Sequence, residues 1–208
     1  MDREQQIEGT EKGGRKYMIY IIRHGQTEQN NRKLLTGRAN YQLNETGISQ
    51  AREAGAWIQE NGIHFDIVFS SPLDRALDTA ALAAPGVEMR VDERLIEMEF
   101  GPYEGMDLTW PAPEVITFFS DFEHNPAPEG MEPLKEVTAR LGALLEELKP
   151  LAKEKNILLS THAIAMKGAL SWLTPPGRGS WWSRYIENCA IYQTELKDGE
   201  YTEPVQVR

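Results

Sequence analysis

The apolar run at residues 17–22, YMIYII, is followed without a break by Arg23 and His24. A run this short, rich in β-branched and aromatic residues, reads as a buried strand. A buried strand that ends on a cation and an imidazole needs something anionic beside it. Further apolar runs bounded by breakers occur at 64–69, 87–91, 156–160 and 189–196. Between them apolar residues recur at three- and four-residue spacing: Ile48, Ala51, Gly55 and Ile58; Leu73, Leu77, Ala80 and Ala84; Leu134, Val137, Leu141, Leu145 and Leu148; and a shorter set over 163–173. Each set marks a helix with one apolar face. Asn44 or Thr46 is expected to cap the first helix, and Pro72 to sit in the opening turn of the second. Strands alternating with helices predict an α/β fold, a three-layer α/β/α sandwich with a mostly parallel central sheet. The Asp198-Gly199 pair near the end predicts a hairpin that adds an antiparallel edge strand.

With 208 residues and no Pro/Gly/Ser-rich linker, one domain is expected over 17–208, carrying a cap-like insertion around 98–132. Residues 1–16 are polar and charged, without the apolar core of a signal peptide, and are expected to form a mobile leader. There are 22 Lys and Arg against 32 Asp and Glu, a net charge of −10. That balance argues against a nucleic-acid surface or an anionic-membrane patch, so any anion site must be local. A single cysteine, Cys189, rules out an internal disulfide and a paired-cysteine metal site, and reads as a small apolar residue at the head of a strand. The expected location is cytoplasmic, and nothing in the sequence speaks to oligomeric state.

In parallel sheets, ligands collect beyond the carboxyl ends of the strands. Arg23 and His24 follow the first strand, Arg75 follows the second within SSPLDRA, and His162 follows the fourth within STHA. Guanidinium groups and helix starts together make a pocket for a small dense anion, phosphate above all. A neutral imidazole beside arginines can act as a nucleophile, and an acid for the leaving oxygen can come from Glu97, Glu99 or Glu104 in RLIEMEFGPYEG.

Six segments, IIRHGQTEQN, LTGRANYQLNETGISQAREAG, FSSPLDRALDTA, LIEMEFGPYEG, LLSTHA and NCAI, occur in an order that resembles the histidine phosphatase superfamily, which includes the cofactor-dependent phosphoglycerate mutases and many small phosphomonoesterases. The resemblance implies that His24 takes the phosphoryl group and Glu97 protonates the leaving alcohol. It implies a phosphate site made of Arg23, Asn30, Arg75, His162 and Ala163, with Gly25 leaving room beside the nucleophile. No metal and no other cofactor is implied. Three positions depart from the family pattern: Met98 where mutases carry an arginine, Ala163 in place of the commoner glycine, and Thr36 before Gly37.

The expected function is a metal-independent phosphomonoesterase that acts on a small-molecule phosphoester through a phosphohistidine. The alternatives are a phosphoglycerate mutase and a non-catalytic module that binds a phosphate compound or a protein. Residues 95–134 contain no Lys or Arg, nine acids and six aromatics. A mutase needs cations there for its substrate's carboxylate, so this stretch favours a phosphatase with an uncharged, partly apolar or cationic leaving group. His64 and His124 match no motif, and Trp181-Trp182 is expected to be packing.

Overall fold

The computed structural model describes residues 16–208 apart from Gly177 and Gly179; the expected leader at 1–16 lies, except for Lys16, outside the described residues. Strand β1 (Met18–Arg23) runs up the middle, and its alternation decides the layers. Ile19 and Ile21 point into one core and Tyr20 and Ile22 into the other, as successive strand residues must. The chain then forms the single turn α1 (Glu28–Asn31), α2 (Glu45–Glu60), β2 (Ile67–Ser70), α3 (Asp74–Ala83) and β3 (Met89–Val91). Two short 3-10 turns, α4 (Pro113–Ser120), α5 (Leu134–Ala152), β4 (Ile157–Thr161) and α6 (Ala163–Leu173) follow, and β5 (Ile191–Lys197), β6 (Glu200–Tyr201) and β7 (Val205–Gln206) end it.

The strand order is β3-β2-β4-β1-β5-β6, with β7 also paired to β5. The pairs β2–β3, β2–β4 and β1–β4 are parallel, whereas β5 runs antiparallel to β1. Helices α2 and α3 cover one face through Ala51, Ala54, Ile58, Ala80 and Ala83. Helices α5 and α6 cover the other through Val137, Leu141, Leu145, Ala165, Ala169 and Leu170. This is the three-layer sandwich with a mostly parallel sheet that the sequence pattern predicts. The hairpin forms on Asp198 (φ 52°) and Gly199 (φ 87°), both left-handed as a two-residue turn between twisted strands requires.

Local details differ from the sequence expectation. The second strand starts at Ile67 because residues 64–66 serve other bonds: the Asn156 side chain donates to His64 O, and Asp66 Oδ2 accepts from Asn156 N–H. Asn44, not Thr46, caps α2 by accepting from Gly47 N–H. Pro72 lies outside the second helix, ahead of its N-cap residue Leu73. Cys189 is buried with φ 56°, one turn before β5 rather than within it.

Gly25 and Gly47 bring the end of β1 against the first turn of α2. A Cβ on Gly25 would stand 2.5 Å from Gly47 O, and one on Gly47 would stand 2.1 Å from Gln26 O. The space at Gly25 is thus taken by backbone. Because the obstacles are backbone atoms that cannot swing aside, Gly47→Ala should lower unfolding stability by about 2–3 kcal/mol. Calorimetry checks this, and an unchanged melting temperature would mean that the two segments can separate freely.

Candidate active site

The strand ends deliver four residues to one edge of the sheet, and their backbone is fixed on every side. His24 N–H donates to Thr161 O at 2.9 Å and Cys189 N–H to Arg23 O at 3.0 Å, so β4 on one flank and the turn that leads into β5 on the other hold the Arg23-His24 backbone. Asn188 Nδ2 donates to His24 O at 2.8 Å. Gly25 N–H donates to Thr79 Oγ1 at 2.9 Å, and that hydroxyl donates to Arg75 O at 2.6 Å. Thr79 thereby links the His24 turn to the helix that carries Arg75.

His24 is buried, and its Nδ1 stands 2.7 Å from Gly25 O. A carbonyl only accepts, so the ring proton sits on Nδ1 and the lone pair on Nε2. Burial, then the charges of Arg75 and Arg23, hold the imidazole pKa well below its ordinary value, which keeps the ring neutral. The His162 ring lies 5.1 Å from it, centroid to centroid. His162 Nδ1 accepts from Arg75 Nε at 3.2 Å, which places its proton on Nε2, 2.7 Å from Ser71 Oγ. Burial, followed by Arg75, His24 and Arg23, lowers this pKa as well.

Arg75 is completely buried. Its terminal nitrogens donate to Ala39 O at 2.8 Å and Gly37 O at 2.6 Å, which leaves an N–H on each for another acceptor. Burial lowers its pKa to about 10, with Glu97 and then Glu104 pulling it up and Arg23 down. Arg23 donates one terminal nitrogen to Ile186 O, while its buried Nε has no partner among the described residues. A buried guanidinium N–H without an acceptor is costly, and an anionic oxygen against it removes the cost.

A pocket of about 240 Å³ opens over this edge. Arg23, His24, Asn30, Glu97 and Ala163 line it, whereas Arg75 and His162 stand fully buried outside its lining. Asn30 closes the capping box of α1: its Oδ1 accepts from Thr27 N–H and its own N–H donates to Thr27 Oγ1, both at 3.2 Å. That leaves the amide nitrogen of Asn30 as its donor group. Among the three acids that sequence left open, only Glu97 lines the pocket. Its Oε1 accepts from Met98 and Ala165 N–H at 2.9 Å, and its Oε2 from Ile164 N–H at 3.1 Å. Two of those N–H groups belong to the first turn of α6, so Glu97 satisfies a helix start from a distant segment. Glu104 instead accepts from Gly37 N–H, with burial raising its pKa, and Glu99 accepts from Gly101 N–H beside Arg38.

Met98 is buried in the core beneath α5 and α6 and does not reach the pocket. Thr36 lines the pocket, its hydroxyl donating to Leu34 O. His124 is an exposed partner of Asp121, and His64 lies elsewhere on the surface. Trp181 packs edge-on against Tyr192 and Trp182 stacks on Phe122.

Sequence reasoning passed over Thr79, Asn188 and Lys167. Lys167 is buried, donates to Trp182 O at 2.8 Å and lies 5.5 Å from the Phe122 ring centre. Burial lowers its pKa to about 8, Glu97 raising it and Arg23 lowering it. The signal was present: Lys167 is the only charged residue in an otherwise apolar helical stretch at 163–173.

Fold and site together define an α/β protein with a pocket lined by Arg23, His24 and Glu97 at the carboxyl end of its sheet. The chain belongs to the histidine phosphatase superfamily, branch 1, which it matches over residues 19–205. A broad-specificity phosphatase of Saccharomyces cerevisiae is 34% identical over 163 residues, 74% of this chain and 69% of that protein. A 2,3-bisphosphoglycerate-dependent phosphoglycerate mutase of a Methylobacterium species is 31% identical over 182 residues, 79% of this chain and 86% of that one. Among solved structures, a phosphoserine phosphatase from Entamoeba histolytica in complex with 3-phosphoglyceric acid has 26% identity and a TM-score of 0.76, covering 92% of this chain and 95% of that one.

The two imidazoles set an acid limit on stability. Unfolded histidine titrates near pH 6.5, and both native values lie below it. Below about pH 6.5 the unfolded chain therefore binds protons that the native state refuses, and stability falls as pH drops towards the native values. At pH 5.5 the protein should therefore melt at a clearly lower temperature than at neutral pH. Thermal unfolding between pH 5.5 and 7.5 checks this; a flat profile would mean that the rings are not held neutral.

Proposed function

We propose that the protein is a metal-independent phosphomonoesterase working through a phosphohistidine on His24. One observation carries the reading: a neutral imidazole, its Nδ1 proton fixed on Gly25 O, lies beside two buried arginines that keep N–H groups for an anion. His24 Nε2 attacks phosphorus and the P–O bond to the alcohol breaks. The leaving oxygen takes a proton from Glu97, whose less engaged Oε2 is the oxygen placed to carry it. Water then attacks the phosphohistidine, Glu97 takes its proton, and the N–P bond breaks to release phosphate and neutral His24.

Arg23 holds the equatorial oxygens from the lining and Arg75 supports their charge from directly behind it, with Asn30 and the first turn of α6 at Ala163 as further donors. His162 serves the phosphate by fixing Arg75 through the Nε–Nδ1 bond. These charges come from side chains, and among the described residues no group of three or more His, Cys, Asp or Glu is arranged to hold a metal ion. Among the described residues no helix is long and apolar enough to cross a membrane; a small-molecule ester met in the cytoplasm is the proposed setting.

The substrate is a small phosphoester with a neutral, partly apolar alcohol. Away from the arginine end, the lining is Leu34, Leu35, Phe100, Leu108, Phe119 and Phe122. Arg23 is the only Lys or Arg among the lining residues, so a phosphoglycerate carboxylate would meet no cation beyond the phosphate site. Residues 98–132, which supply four of these six side chains with Phe100, Leu108, Phe119 and Phe122, act as the cap.

With chelator present, the rate on an aryl phosphate should be unchanged, and kcat/KM should exceed that on 3-phosphoglycerate roughly a hundredfold, the scale of an unpaired charge in a half-open pocket. Efficient interconversion of phosphoglycerates with little phosphate release would establish the mutase instead. Glu97→Gln should slow an alkyl phosphate by about 10²–10⁴ and an aryl phosphate far less, since a phenolate departs with little protonation. Equal losses on both esters would remove Glu97 from the acid role.

A further inference from the structure

Lys167 is a buried cation that the proposed chemistry does not use. Its surroundings are unusual for an ammonium: among the described residues no carboxylate lies within 4.0 Å, and its one hydrogen bond goes to Trp182 O. Glu97 attracts the charge from farther off, and the Phe122 ring face lies 5.5 Å away, within cation–π range. Phe122 in turn stacks on Trp182, with centroids 6.3 Å apart and planes at 20°, and meets Phe119 at 4.8 Å. Phe119 and Phe122 both line the pocket, as do Ala163 and Ile164 one turn before Lys167 on the same helix. The charge therefore stands where three segments meet: α6, the stretch after α4, and the loop at 181–186.

Lysine is an expensive way to fill such a place if packing were all that was needed, because an apolar side chain of equal length would avoid the desolvation cost. A methionine there could stack its thioether on Phe122 but could not donate to Trp182 O. What the ammonium adds is a directional tie between a carbonyl and an aromatic face. With its pKa at about 8, it keeps its charge at neutral pH.

We propose that Lys167 is a positioning residue for leaving-group specificity: its ammonium, held between Trp182 O and the Phe122 ring, fastens the cap segment so that Phe119 and Phe122 form a closed wall against the alcohol. The inference rests on the phosphomonoesterase reading for its kinetic consequence and on geometry alone for its structural one. Esters long enough to touch the wall gain from the tie; esters too short to reach it do not.

The test compares the intact protein with Lys167→Met and Lys167→Arg. In the kinetic arm, Lys167→Met should raise KM for an aryl phosphate about tenfold, the size of a desolvated cation–π contact, with kcat changed less than about twofold. Methyl phosphate should show no such rise in KM, and Lys167→Arg should restore the aryl KM. Equal effects on the two esters, or Lys167→Arg no better than Lys167→Met, would overturn the proposal and leave Lys167 as filling. Hydrogen exchange of the 113–125 segment in the ligand-free protein needs no turnover, so it judges the inference even if no ester is hydrolysed. Exchange should be about tenfold faster in Lys167→Met and near the wild-type rate in Lys167→Arg, whereas equal rates in all three proteins would overturn it.

Discussion

Positive charge buried without a full complement of negative charge is the constraint around which this structure is arranged. Arg23 and Arg75 sit at the sheet edge at 7% and 0% exposure, next to two imidazoles that burial and those same arginines keep neutral. Glu97 and Glu104 offset part of the charge on Arg75, and backbone carbonyls at Gly37, Ala39 and Ile186 take some of the N–H groups. What is left includes the Nε of Arg23, unpartnered among the described residues, and in the proposed function an oxyanion completes the balance. In the proposed function a preorganised cluster of this kind favours the transferring phosphoryl group, because the donors need no reorganisation when charge shifts.

Holding like charges together requires a stiff frame, and the sheet provides it. Strand β1 lies between β4 and β5, so the turn after Arg23 is bonded to both neighbours before any side chain contributes. Thr79 and Asn188 then fix the turn from the helix side and the loop side. Helix α6 carries the same logic to the opposite wall. Its first turn holds the Glu97 carboxylate, and its second turn carries Lys167, which donates to Trp182 O beside the Phe122 ring. The Glu97 carboxylate and the Lys167 ammonium thus hang on one rigid element, as precise sites require.

Much of this is legible in the sequence, for identifiable reasons. The strand at 18–23 is an unbroken apolar run that stops at Arg23, just before His24, and the helices at 134–152 and 163–173 repeat their apolar residues at three and four, so layers and strand ends follow from the apolar pattern. The Asp198-Gly199 turn is written in residues that tolerate left-handed backbone. Other features depend on tertiary neighbours and leave no local trace. The resemblance implies that Gly25 leaves room beside the nucleophile, yet the space is filled by Gly47, brought there by the packing of α2. Glu97, Glu99 and Glu104 are alike in sequence and part company only when the first turn of α6 claims one and Gly37 another. Counting cations over 95–134 misses Lys167, because the helix that delivers it to Phe122 lies beyond the segment counted.

The most direct measurement of the central claim is rapid chemical quench of the protein mixed with a labelled aryl phosphate, followed by peptide mapping of the bound phosphate. Label that is stable in base, labile in acid and confined to His24, appearing at the rate of the first turnover, is the expected result. Release of phosphate at full rate with no label on His24, or with label on another residue, would contradict a covalent route through this imidazole.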